Sequence, residues 1–582
     1  MCKKCLLLDQ FDLLEFPKIV LLQTLRSSRR KKESNEIREN QVATMKFTNP
    51  LQQFKKCIIL FMLGIVCSML AYVIYLINPV KLIIETKLQM TPNSLIFELW
   101  KKPPIEVYLK VYIFNITNAE EFLKGGKNLK VNEIGPYVYQ EVVENQNVTW
   151  FKNNTISYIP KRQILYVPEM SVGDPEKDMV HVPNIPLLGI SSTLSDSGFL
   201  VNYPWMSLVN ILDSKPLLHL TVHDYLWGYE DALIHFASGV VPNFIDFQKF
   251  GLLDRMYDEG ENIVFMNVGK NKNMTDEEGR YLSIESYNGS PGMSQWGYKE
   301  EEGNETHPEN TICNRIKGSS EGELFPTNID KHAVFRIFRK AFCRSIPIVF
   351  RKEVVADNGI DGYLYSMSDD FLDPPELNPD NACYCRKKGK CLKKGLSDMT
   401  PCYYSIPAAM SLPHFIYADP SLYDKVEGLK PDPEKHIAKI IVQPALGIPL
   451  SVNSRIQINL VMSHISYNRR LTAFNDMTIP LFWSDLVIPP LKNDLLFLVK
   501  LILQILPITQ MVIMCLLAIA GVTMFLLSIP AMLWTINQQQ ESLPSERRDS
   551  CDLRIPLNYG QYTTIHILPA IKKITSKTDL FS

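Results

Sequence analysis

Twelve cysteines punctuate this chain, and six of them (Cys313, Cys343, Cys383, Cys385, Cys391 and Cys402) crowd between positions 313 and 402. Thiols gathered in this way either hold a soft metal or pair as disulfides in an oxidising compartment. The metal alternative has ligands at hand in Cys383-Tyr-Cys385, Cys391, Cys402 and His414, but it lacks paired Cys-x-x-Cys knuckles. An even set with irregular spacing reads as a disulfide framework, so no metal is expected. Catalytic constellations are missing. No His-Glu-x-x-His pair or phosphate-binding glycine loop occurs in the sequence. His223-Asp224 and His414 are the most reactive-looking histidines, and His414, between Pro413 and Phe415, reads as a hydrogen-bonded structural residue. Neither an enzyme nor a cofactor is expected.

A second chemistry is glycosylation. Sequons stand at Asn115, Asn147, Asn153, Asn273, Asn288 and Asn304, with Asn288 weakened by Pro291. Their confinement to the middle of the chain carries more weight than their number, because an acceptor asparagine must reach the lumen. What confines them is a pair of long apolar stretches. Residues 57–77 carry no charge, and an uncharged run from Leu501 to Gln540 is densest at Met511–Pro530. Each is long enough for a bilayer core, which takes about 20 residues. Two spans put both tails on one side and the large middle on the other. Lys55 and Lys56, with the basic residues behind them, hold the first tail in the cytoplasm. The first span exceeds a signal peptide's apolar core and has no small-x-small cleavage site, so it reads as an uncleaved anchor.

These boundaries give a cytoplasmic tail at 1–56, a transmembrane helix at 57–77 and a glycosylated ectodomain at 78–505. A second transmembrane helix at 506–534 and a cytoplasmic tail at 535–582 follow. Met45-Lys-Phe-Thr-Asn-Pro reads as a natural start, which leaves residues 1–44 as an addition or a bare tail. In the second tail, Tyr562-Thr-Thr-Ile565 fits a Tyr-x-x-apolar endocytic signal. The chain holds 61 Lys and Arg against 62 Asp and Glu. Because the first tail is basic, the middle is net acidic, which disfavours a nucleic-acid partner. The run Arg386-Lys-Lys-Gly-Lys390 reads as solvated surface.

Positioning elements follow from periodicity. Ile105, Val107, Leu109, Val111 and Ile113 alternate on one strand face, and Arg455–Leu460 alternates as well. Gly135-Pro136 reads as a turn between strands, and Asn288-Gly289 as a tight hairpin. Ser195–Leu212 and His223–Ala237 read as helices, the second with Asp224 as its cap. The middle is therefore one large mixed domain, mainly β, with a helical cluster near residues 187–250.

Ordered landmarks then become specific. They are Asn132-Glu-Ile-Gly-Pro-Tyr-Val-Tyr139, Leu226-Trp-Gly-Tyr229, Tyr287-Asn-Gly289 with Trp296, Cys313-Asn-Arg-Ile-Lys-Gly318 and Leu324-Phe-Pro326. Cys343-Arg-Ser345, Cys383-Tyr-Cys385, Ser411-Leu-Pro-His-Phe415, Pro444-Ala-Leu-Gly-Ile-Pro449 and Ile479-Pro-Leu-Phe-Trp483 complete the series. With two spans and six cysteines, this order resembles the class B scavenger receptor family, and within it the insect-type members. Fatty-acid translocase, croquemort and the lysosomal integral membrane proteins belong to that group.

The resemblance implies an α+β fold, in which an antiparallel β-barrel core carries an apical helical bundle and two transmembrane helices anchor it. It implies the pairs Cys313–Cys383, Cys343–Cys402 and Cys385–Cys391. It also implies a cell-surface receptor that binds lipid, lipoprotein or modified-lipid particles at its apex and passes fatty acids or sterols through a tunnel to the membrane. Strands beginning at Ile105 and Arg455 are the candidate walls of that tunnel. The segment around Trp205 is the candidate entrance, with Trp205, Met206, Val209 and Lys215 as ligand-binding residues. Lys215 stands beside Asp213 and Asp224, which departs from the lysine-rich apex of members that bind acidic lipoproteins. The alternative function is an endosomal or lysosomal trafficking receptor for a protein ligand, and a homo-oligomer is left open.

Overall fold

The structure is a computed structural model that describes residues 50–541 except 244, 258–261, 270–278, 302–306 and 386–390, together with 552–557 and 561–566. The chain divides into one unit of Met1–Ile77 with Thr509–Ser582, and another of Asn78–Ile508. In the first unit, helices Pro50–Ile77 and Leu506–Glu541 carry apolar side chains outward, such as Ile59, Met69, Leu516 and Leu526. Two stretches, Gln52–Lys87 and Asp494–Gln538, are long and apolar enough to cross a bilayer. The two helices touch where they are smallest: a Cβ on Gly521 would lie 2.3 Å from Ser68 Oγ, and one on Gly64 would lie 3.3 Å from Gly521 O. Phe61 and Phe525 meet beside this contact, ring centroids 5.3 Å apart.

Strands carry the second unit. In β1 (Val107–Ile116), Val107, Leu109, Val111 and Ile113 are buried, while Tyr108, Lys110 and Tyr112 are half-buried between them. The strands that follow are β2 (Leu129–Trp150), β3 (Thr155–Tyr166), β4 (Val264–Asn267), β5 (Ile284–Tyr287), β6 (Phe335–Arg339) and β7 (Arg344–Val355). After them come β8 (Asp361–Met367), β9 (Lys439–Gln443), β10 (Ile448–Val461) and β11 (Thr478–Ile488). They pair antiparallel in the order β6-β7-β8-β9-β10-β11-β1-β2-β3-β4-β5. Gly318–Ser320 then joins the two ends. Gly318 N–H donates to Ile284 O and Ile284 N–H to Ser319 O, at 3.0 and 2.7 Å. Ser320 N–H donates to Arg336 O and Phe338 N–H to Ser320 O, at 2.8 and 2.9 Å. The sheet is thus closed, which removes its edges and encloses a lumen.

Local geometry corrects several readings. Gly135-Pro136 lies inside β2 rather than at a turn. The register against β1 slips between Val111 and Ile113, and Gly135 holds φ +148° where a Cβ would meet Val111 O at 2.7 Å. This is a bulge that only glycine fits. Asn288 and Gly289 hold φ 53° and 83° in the two-residue hairpin after β5, closed by Tyr287 and Ser290. Arg455–Leu460 sits within β10 and is not half-exposed. Gln457 and Asn459 are buried because the short strand Ala408–Ser411 lies against them. Asn459 Nδ2 donates to Ala409 O and Ser411 Oγ, and Gln457 Nε2 to Asn459 Oδ1.

The helices of the second unit include α1 (Pro79–Lys87), α2 (Leu95–Lys101), α3 (Ile185–Thr193), α4 (Phe199–Ile211), α5 (Val222–Trp227), α6 (Ala232–Val240), α7 (Leu252–Tyr257) and α8 (Asn493–Lys500). The segment His223–Ala237 is therefore two helices, broken at Gly228 with φ 141°. Thr221, not Asp224, caps α5, its Oγ1 accepting from Asp224 N–H at 3.0 Å. Asn184 caps α3 and Asp231 caps α6, and Asn184 Nδ2 donates to Asp231 Oδ2 at 3.2 Å. That bond fixes the helical cluster by its caps.

Candidate functional site

Where β1, α1, α2 and α8 meet, the second unit holds a cavity of about 150 Å³. Leu88, Leu95, Leu99, Val107, Leu495 and Val499 make its apolar wall. Ser94 starts α2 by accepting from Phe97 N–H, which turns Leu95 and Leu99 to the lumen. One end of the cavity is polar and carries Glu141, Glu323 and Arg339. A second cavity of about 40 Å³ is lined by Ile185 of α3, Leu252 and Met256 of α7, Ile406, and Ile458 and Leu460 of β10. The two share no lining residue.

The polar end belongs to a buried ionic cluster. Glu141 Oε1 lies 3.2 Å from Arg162 Nε and 3.3 Å from Arg339 Nη1. Tyr257 OH donates to Glu141 Oε2 at 3.1 Å. Glu141 lines the larger cavity, and Tyr257 follows Met256, which lines the smaller. Arg162 Nη2 donates to Glu321 Oε1 at 3.0 Å, and Tyr158 OH to Glu321 Oε2 at 2.6 Å. Asn145 Nδ2 donates to Trp100 O at 3.0 Å and to Glu323 Oε2 at 3.4 Å. Burial, then the Glu321 charge, pushes the Glu323 carboxyl up to about 7. Burial and the neighbouring carboxylates raise the Tyr158 and Tyr257 hydroxyls well above their usual range. None of these charges was singled out from sequence. The available signal was their phase: Ile156, Tyr158, Pro160 and Arg162 alternate along β3, so Arg162 falls on an inward position.

A second cluster surrounds His414. Its Nε2 lies 2.6 Å from Glu133 Oε2, which also accepts from Trp483 Nε1 at 2.7 Å. His436 stacks on His414 at 4.4 Å, and the three ligand-type side chains Glu133, His414 and His436 come within metal-binding reach of one another. Their hydrogen bonds fit a metal poorly. Lys430 N–H donates to His414 Nδ1 and Asp432 N–H donates to His436 Nδ1. A histidine that ligates through Nε2 ordinarily donates from Nδ1 instead. Both rings therefore carry hydrogen on Nε2, and His414 serves as the hydrogen-bonded structural residue its neighbours suggest. Donation from His414 and Trp483 overcomes burial and lowers the Glu133 carboxyl.

The four apical candidates fall in unequal places. Val209 is 1 % exposed and packs in the core, so it cannot meet a ligand at the surface. Trp205 is half-buried with its Nε1 donating to Ser191 Oγ, Met206 is half-buried, and Lys215 is exposed. None of them lines either cavity. The large apolar groups that α4 does expose are Phe199, Leu200, Val201, Tyr203 and Ile211. Ile105 and Val107 line the larger cavity and Ile458 and Leu460 the smaller, so both candidate wall strands contribute.

Disulfides join Cys313 to Cys383, Cys343 to Cys402 and Cys385 to Cys391. Asn147 and Asn153 are exposed. Asn115 is half-buried in β1, its Oδ1 accepting from His181 N–H. Asn288 commits both ends of its amide, donating to Asn262 Oδ1 and accepting from Ile263 N–H. Asn273, Asn304 and Arg386–Lys390 lie outside the described residues. Tyr562 and Ile565 lie in strand Gln561–His566, paired with Asp552–Leu557.

A family model described as the CD36 family matches residues 57–532. The chain belongs to the CD36 family. Scavenger receptor class B member 1 of Rattus norvegicus is 28% identical over 426 residues, 73% of this chain and 79% of that protein. Lysosome membrane protein 2 is 31% identical over 382 residues in Rattus norvegicus, covering 65% of this chain and 73% of that protein. The Homo sapiens form is 30% identical over 388 residues, covering 66% and 74%. For a CD36-family chain, the large antiparallel sheet and two membrane-length helices are the expected architecture, and the class B scavenger receptor resemblance rests on the same matches.

Proposed function

We propose that this chain is a cell-surface class B scavenger receptor that takes in apolar lipid and passes it through the barrel lumen to the bilayer, without catalysis. The observation that carries this reading is the larger cavity, whose apolar wall draws on residues close in sequence to both candidate spans. Each methylene moved from water onto that wall gains about 0.8 kcal/mol. A volume of about 150 Å³ is below the roughly 300–1,000 Å³ of ordinary ligand pockets. It suits one end of a lipid, and passage onward requires Tyr257 to part from Glu141. Lipid or lipoprotein-type particles are the ligands this reading names. The test is uptake of a labelled long-chain lipid by cells expressing the wild-type chain or Leu495→Trp, which fills the cavity wall. Uptake should fall in the variant at equal surface expression, and unchanged uptake would remove the lumen from the route.

A second reading, a lysosomal or endosomal receptor for a protein ligand, is favoured by the similarity to lysosome membrane protein 2. Imaging of a tagged chain against surface and lysosomal markers separates the two. Loss of surface signal restored by Tyr562→Ala would mean that the tail signal sets residence.

A further inference from the structure

Two acceptors in the ionic cluster have no donor. Glu323 Oε1 and Asn145 Oδ1 are both buried and make no hydrogen bond. They are neighbours, because Asn145 Nδ2 reaches the other oxygen of Glu323. Asn145 is fully buried, and Glu323 lines the polar end of the larger cavity. Arg162 Nη2 approaches Glu323 Oε1 only to 4.0 Å, while it donates to Glu321 at 3.0 Å. A buried acceptor left without a donor costs about 1–3 kcal/mol. What meets a pair of acceptors is a donor.

The surrounding charge points the same way. Above about pH 7, where Glu323 is ionised, Glu141, Glu321 and Glu323 face two guanidiniums, Arg162 and Arg339, both already paired with Glu141. A further carboxylate entering this low-dielectric pocket would meet an excess of its own sign. A neutral hydroxyl adds no charge and offers the missing hydrogen.

We propose that Glu323 and Asn145 form a head-group subsite that selects hydroxyl-headed lipids over carboxylate-headed ones at the inner end of the cavity. The inference rests on the lipid-lumen reading and adds its selectivity. In this arrangement the lipid's hydroxyl donates to Glu323 Oε1 or Asn145 Oδ1, and its chain lies along Leu95, Leu99, Leu495 and Val499.

The experiment uses the full chain in nanodiscs. Tritiated 1-hexadecanol and tritiated hexadecanoate, equal in chain length, are titrated onto wild type, Glu323→Gln and Leu495→Trp. The expected result is about tenfold tighter binding of the alcohol to wild type, equivalent to about 1.4 kcal/mol. Glu323→Gln should bring the ratio towards one while keeping binding capacity, and Leu495→Trp should weaken both probes alike. Equal or tighter binding of hexadecanoate to wild type overturns the subsite, and so does a ratio unmoved by Glu323→Gln. If neither probe binds wild type above the Leu495→Trp level, the lipid-lumen reading itself fails and takes the subsite with it. The ratio is taken within each variant, so partial loss of folded protein does not mimic the result.

Discussion

Two of the barrel's polar clusters are finished differently. Around His414, each ring nitrogen has a partner and Glu133 keeps 34% of its side chain exposed, so water can complete what the protein leaves open. Around Arg162, the side chains of Arg162 and Glu141 are 4% and 0% exposed, yet Glu323 and Asn145 keep acceptors without donors. A vented, satisfied network is a way to hold strands in register. A sealed network with spare acceptors beside a cavity is a way to meet something that enters. On the head-group proposal, hydrogen-bond closure, more than the number of charges, separates structural from receptive polar groups in this fold.

The largest test of that contrast is Arg162→Met. It would leave Glu141 and Glu321 buried without their shared guanidinium, and breaking a sealed pair in this way costs about 3–5 kcal/mol. Thermal unfolding of the full chain in nanodiscs should show it, together with poor delivery to the surface. A loss under about 1 kcal/mol would mean that solvent reaches the cluster, as it does for surface pairs, and the contrast would collapse.

Glu133→Ala is the matching cut in the other cluster. Trp483 Nε1–H and His414 Nε2–H lose their acceptor, at about 1–3 kcal/mol. The loss should be smaller than for Arg162→Met because the site is vented. The alcohol-to-acid binding ratio should stay as in wild type. A changed ratio would give the His414 cluster a part in ligand choice.

How far sequence reached into these sites follows from what is local. The alternation from Val107 to Ile113 and the hairpin at Asn288-Gly289 depend on near neighbours, and both are visible by eye. Barrel closure through Gly318–Ser320 depends on four hydrogen bonds to strands far apart in sequence, and no periodicity announces it. Gln457 and Asn459 look solvated because their alternation resembles a half-exposed strand, while Ala408–Ser411 covers them. On α4, Phe-Leu-Val-Asn-Tyr-Pro-Trp-Met-Ser-Leu-Val-Asn-Ile is apolar nearly all round, so its phase is undetermined. Val209 turns inward and Ile211 outward, the reverse of what a binding role for Val209 requires. Glu141 and Arg162 occupy inward phases, but a charge at such a position reads as an edge residue until its partner on the neighbouring strand is known.

Acidification should move the two clusters in opposite directions. The Glu323 carboxyl is pushed up to about 7 from its ordinary 4.5. A raised acid favours the folded state when protonated, so its contribution is full below about 4.5 and is lost as pH rises through about 7. Glu323→Gln should therefore be more stable relative to wild type at pH 7.5 than at pH 5.5, read as the difference in unfolding midpoint. An equal difference at both pH values would mean that Glu323 is ionised throughout.

His436→Phe is the smallest effect and the finest test. The ring lies face to face with His414 at 4.4 Å and edge-on to Trp483 at 5.4 Å, contacts that a phenyl ring retains. The variant loses one acceptor for Asp432 N–H, on a half-buried residue where water can replace it, so the cost at neutral pH should stay below about 1.5 kcal/mol. Burial, then the nearby His414, lowers the His436 imidazole to about 4, against the opposing pull of Glu133 and Asp432 and with a smaller push from Arg455. A lowered histidine supports the fold while neutral, so its contribution is present above about 6.5 and is lost as pH falls through about 4. Wild type should thus lose stability across this window and His436→Phe should lose less, the reverse of the Glu323 response. If the variant follows wild type through the window, the acid sensitivity lies with Glu133, whose lowered carboxyl is also lost on protonation, and the vented cluster titrates through its carboxylate alone.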